Sequence, residues 1–216
     1  MTFTGGYAIT TAATNVFNAI VTAVLMWKMM RFTKPKQRRN LWGAVFGLFF
    51  LSCVYGAATH GISMSLAQYR YYWNYLYAVL SFLLAFFVAA VVYETDGVEN
   101  AKKTGAVTFV LAACFTAARF FFQKYISFRE FSIFAFPLLI YALIKLAAGR
   151  KQKPYLTNFI IAIVCLLIGS ALQTVKSIRF YFFFDFNYDS VYHLFTLLLV
   201  VFIYRGLKEQ ASLPEQ

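Results

Sequence analysis

Apolar stretches of roughly 20 residues recur along this 216-residue chain, broken only by short polar joints. A helix of about that length crosses the hydrocarbon core of a bilayer. Inside that core only a helix or a closed barrel satisfies its own backbone. Seven stretches qualify: Tyr7–Met30, Leu41–Ala67, Tyr71–Tyr93, Thr104–Phe122, Ile126–Ala147, Tyr155–Ile178 and Asp189–Tyr204. They predict an all-α polytopic membrane protein of seven transmembrane helices, one domain over residues 1–208 with a short tail at 209–216. Charged residues make up 13% of the chain, about half the share found in soluble domains. The joints are short, so sequential helices are expected to be antiparallel neighbours. The start, MTFTGGYAIT, lacks the basic opening of a signal peptide, so the first run is expected to be retained as a helix.

The net charge of +12 is a topology signal rather than a nucleic-acid signal. Fourteen basic residues fall on one side of the expected bundle, among them Arg38, Arg39, Lys102, Lys145 and Lys153; the other side has six: Arg70, Arg119, Lys124, Arg129, Lys176 and Arg179. The positive-inside rule then places the N-terminus outside and the C-terminus inside. Tyr69, Tyr71, Tyr72 and Trp73 form an interfacial aromatic belt at the outer edge of the third helix. Cys53, Cys114 and Cys165 lack metal-type spacing and read as free, buried thiols. The short loops and the expected lack of a cleaved leader fit a bacterial inner membrane.

The chain has two histidines, His60 and His193. With the second helix running outward and the seventh inward, both fall about 12 Å from the outer helix ends. Asp189 precedes His193 by one turn, on the same helix face. Other polar residues share the layer: Thr11, Asn15, Asn18 and Thr22 in the first helix, Asn74 in the third, Ser170, Gln173 and Ser177 in the sixth, and Ser52, Gly56 and Ser63 beside His60. Such groups face the bundle interior or a wet cavity. They predict a polar chamber open to the outside, lined by helices 1, 2, 3, 6 and 7. The competing reading of the first-helix stripe is glue between helices.

Seven spans, an outer N-terminus, a late second-helix histidine and an Asp189-x-x-x-His193 pair resemble the CREST superfamily of membrane hydrolases, which includes alkaline ceramidases and adiponectin-receptor-like proteins. That resemblance implies a zinc ion held by His60, Asp189 and His193. It also implies a lipid amide or ester substrate entering from the outer leaflet. Asn15, Asn18, Asn74 and Gln173 would support the substrate or the metal. The match departs from the family pattern at Gly56, where the family has Ser, and in the early third helix, where Tyr71, Trp73 and Asn74 replace an Asp. A non-catalytic reading stands beside it: a lipid-binding protein, a receptor or an accessory subunit whose polar cluster is structural. A haem between the histidines is a further reading. A retinal Schiff base is disfavoured, because the seventh span, Asp189–Tyr204, contains no lysine.

Overall fold

The structure is a computed structural model that describes residues 6–122, 128–182 and 184–213. Among them are seven α-helices: α1 (Gly6–Phe32), α2 (Lys36–Gly61), α3 (Leu66–Asp96), α4 (Val98–Phe121), α5 (Phe128–Gly149), α6 (Leu156–Thr174) and α7 (Tyr188–Ala211). Each is long and apolar enough to cross a membrane. The expected start of the fifth span at Ile126 lies outside the described residues, as do Lys124, the side chain of Arg129 and the tail beyond Leu213.

Six helices close a ring. α1 packs on α2, α2 on α3, α3 on α5, α5 on α6, α6 on α7, and α7 returns to α1. α4 stands outside the ring against α3, touching α5 through Phe115, whose ring stacks on Phe134 at 4.7 Å. Its outer face is apolar and exposed at Val107, Val110 and Leu111, as a lipid-facing helix requires. The expected run of sequential antiparallel neighbours therefore breaks at α4, and α5 takes its place beside α3.

Two boundaries move the polar layer. α2 was expected to run to Ala67 but ends at Gly61, followed by an extended Ile62. Ser65 then starts α3 with a capping box: its hydroxyl accepts from Gln68 N, and Gln68 Oε1 accepts from Ser65 N at 3.0 Å. His60 thus sits in the last turn of α2, and Ser63 is not on that helix face. α6 ends at Thr174 rather than Ile178, which leaves Ser177 in a turn. The chain continues into an antiparallel β-hairpin, β1 (Arg179–Phe182) with β2 (Phe184–Asn187). Phe180 and Phe186, opposite each other, stack at 5.2 Å. α7 opens at Tyr188, so His193 is about 7–8 Å from its start. Both histidines lie shallower than the expected 12 Å.

The thiols are free, but only Cys53 is buried; Cys165 is half-buried and Cys114 is exposed on α4. Burial of the thiol is a property of the ring interior, and α4 is outside it.

Gly56 sets the α1–α2 approach. A Cβ there would lie 2.7 Å from Asn15 Oδ1. Asn15 cannot easily yield, because its amide nitrogen is held by both Thr11 O and His193 Nε2. Gly56→Ala is therefore expected to destabilise the fold by about 1–3 kcal/mol, the range for overpacking. Adding Asn15→Ala should recover most of that loss in thermal unfolding, because the clash and its partner are then both gone.

Candidate functional site

The first-helix stripe faces inward and joins α1 to α7. Thr11, Asn15, Asn18 and Thr22 are all buried. Thr11 Oγ1 meets Asn187 Oδ1 at 3.1 Å and Ser190 Oγ at 2.9 Å. Asn187 is also the N-cap of α7, accepting from Ser190 N at 2.9 Å. Asn18 Nδ2 donates to His193 O at 2.8 Å and Thr196 Oγ1 at 3.0 Å. This is the glue reading. Asn18→Ala should lower stability by about 0.6–2 kcal/mol, the range for interhelical hydrogen bonds in membranes, as read by unfolding in detergent.

The two histidines meet. Their ring centroids are 6.2 Å apart, and His60 stands edge-on to Trp73 at 5.9 Å. Asn15 fixes the protonation of His193. Its Nδ2 donates to Thr11 O at 3.0 Å, and a carbonyl only accepts, so that atom is the amide nitrogen. The same nitrogen lies 2.9 Å from His193 Nε2. Nε2 therefore accepts, and the neutral ring carries its proton on Nδ1. Gln173 is fixed in the same way. Its Nε2 donates to Asp189 Oδ1 at 2.9 Å, which leaves Gln173 Oε1 as a buried acceptor with no hydrogen-bond partner. Asp189 and His193 make no direct hydrogen bond among the described residues.

These contacts bear on the zinc set. His193 Nε2 is engaged by Asn15, and Asp189 is engaged by Gln173. Among the described residues no group of three or more His, Cys, Asp and Glu side chains converges as a metal site. His60, Asp189 and His193 do not fit a three-ligand zinc centre as arranged. Asn74 is turned away from the histidines. Its Oδ1 accepts from Arg119 Nε at 2.7 Å, and the Arg119 guanidinium lies 4.3 Å from the Tyr77 ring centre. Asn18 is likewise committed to α7.

The chamber is different from the expected one. A cavity of about 190 Å³ runs through the ring, lined by α2, α3, α5, α6 and α7 with Asn15 of α1. One water needs only about 10–15 Å³ measured the same way. The lining is mainly Leu, Phe, Val and Ala; its polar members gather around His60, Trp73, Gln173 and His193. Among the described residues no Lys, Arg, Asp or Glu lines it. On α2 the lining runs from Val45 to His60, and on α3 from Trp73 to Phe87. Each is about 21–22 Å of helix. The cavity is therefore a long apolar shaft with one polar end, and α5 contributes a wall that the sequence reading left out.

Beyond the opposite end lies a buried carboxylate that was not among the expected site residues. Glu94 is 1% exposed. Arg38 donates to it twice, from Nε at 2.9 Å and from Nη2 at 3.0 Å. Trp42 Nε1 and Tyr155 OH each donate at 3.0 Å. Burial, with Glu94 beside it, holds the Tyr155 hydroxyl above its ordinary range, so it stays a donor. Trp42 stacks on Phe159 at 5.0 Å and meets Phe87, a lining residue, at 6.1 Å.

The profile of a family of unknown function (DUF6962) matches residues 10–212, nearly the whole chain. No curated protein and no solved structure matches it. The family match lends no support to the CREST resemblance.

Proposed function

We propose that this protein, which belongs to the DUF6962 family, binds one single-chain lipid inside its helix ring, with the chain in the apolar shaft and the head beside His60 and His193. The observation that carries this is the shape and chemistry of the cavity. Its length of about 21–22 Å along α2 and α3 exceeds one leaflet, about 15 Å or half the hydrocarbon core. An apolar shaft with a few convergent polar groups at one end is the form of an amphiphile site. By the positive-inside rule the polar end faces the outer leaflet. His193 serves as a fixed hydrogen-bonding group, with Asn15 holding its ring and Gln173 held on Asp189. Lipid hydrolysis with zinc bound at His193 Nε2 would require Asn15 to release that nitrogen first.

A photoactivatable single-chain lipid, cross-linked in detergent and mapped by peptide, tests this. Labelling should concentrate in segments 45–60, 73–87 and 192–203, and excess unlabelled lipid should compete it away. Labelling confined to outward-facing residues such as Val107 and Val110, without saturation, would contradict it.

A further inference from the structure

Resting on that reading, we infer that the bound head is an uncharged hydroxyl, a group that both donates and accepts through one atom, recognised by Trp73 Nε1 and His193 Nδ1 as donors and by Gln173 Oε1 as acceptor. Trp73, Gln173 and His193 all line the polar end of the cavity. Trp73 Nε1 is buried and has no hydrogen-bond partner, and an indole nitrogen can only donate. Gln173 Oε1 is buried and also without a hydrogen-bond partner, and its amide cannot flip to hide this. Flipping would turn the carbonyl toward the Asp189 carboxylate, placing acceptor against acceptor. His193 Nδ1 carries the ring proton because Asn15 occupies Nε2.

Buried polar groups are rarely left without partners, and each that is calls for an explanation. Here two lie at the same end of one cavity and are opposite in kind. An alkyl chain alone satisfies neither. A carboxylate or phosphate answers only the donors, leaves Gln173 Oε1 facing an acceptor, and meets no cationic side chain in the lining among the described residues. Burying a charge without a countercharge is the costliest option. An ether or ester oxygen answers the donors and not Gln173. A hydroxyl answers both, its oxygen accepting from Trp73 or His193 while its hydrogen is given to Gln173.

The test uses the whole protein in detergent and four probes of equal chain length: a primary alcohol, its methyl ether, the alkane and the carboxylate. Competition against the photoactivatable lipid reads their affinities. The alcohol should bind about 2- to 12-fold tighter than the ether, the size of one neutral hydrogen bond, and tighter still than the alkane. Trp73→Phe should weaken the alcohol by a similar factor and leave the alkane unchanged. In Gln173→Met the alcohol and the ether should bind alike. If Gln173→Met does not fold, the alcohol-to-ether ratio in the natural protein decides. Equal binding of alcohol and alkane, or tighter binding of the carboxylate at neutral pH, would overturn this inference and leave chain binding intact. Failure of all four probes to compete would overturn the lipid-binding reading itself.

Discussion

Replacing Glu94 with alanine should lower the stability of the protein by about 3–5 kcal/mol, the loss seen when one partner of a buried ion pair is removed. The carboxylate accepts four hydrogen bonds, two from Arg38 and one each from Trp42 and Tyr155. Its side chain has no exposure and that of Arg38 only 12%. Without it, the Arg38 guanidinium keeps its charge and loses its partner, while an indole N–H and a phenol lose their acceptor. Three segments meet there: the start of α2, the end of α3 and the residue preceding α6. A fall in unfolding temperature in detergent, with loss of monodisperse material, is the expected readout. Removing both charges, as in Arg38→Leu with Glu94→Leu, should recover much of the loss, because the unpaired charge goes with its partner. A Glu94→Ala protein as stable as the natural one would show that the knot holds nothing.

Ala135→Phe should do the reverse, abolishing function while leaving the fold intact. Ala135 lies on α5, buried, in the wall of the shaft. A phenyl ring added in a close-packed core costs about 1–3 kcal/mol. Here it enters a cavity of about 190 Å³ and occupies space the lipid chain needs. The unfolding temperature without added lipid should be unchanged or higher. Affinity for a single-chain lipid should fall at least about tenfold, or 1.4 kcal/mol. A natural protein and a variant with equal affinity would place the lipid elsewhere.

Some of this was legible in the residues and some was not. The seven helices follow from apolar length alone, because backbone satisfaction in lipid leaves few alternatives. The inward face of α1 was legible too, since Thr11, Asn15, Asn18 and Thr22 recur at helical spacing. The meeting of His60 and His193 followed from counting depth along two helices of opposite direction, although both helix ends were misplaced. Those ends were misplaced for physical reasons. Ser65 and Gln68 form a capping box, but the S-L-A-Q signal lies inside an apolar run that hydropathy reads straight through. The hairpin is built from Phe and Tyr, which score as membrane-compatible and are also strong strand formers. The Glu94 knot needed partners from two distant segments, although an acid closing an apolar helix on the basic side, with Asp96 two residues on, was an available signal. The shaft was hidden because Leu and Phe that line a cavity look the same in sequence as Leu and Phe that pack a core.

The central claim is that one lipid chain occupies the ring. Native mass spectrometry of the gently solubilised protein, beside its Ala135→Phe variant, tests it most directly. About one single-chain lipid per natural chain is expected, and little or none on the variant. No such lipid on the natural protein, or the same amount on both, would contradict it.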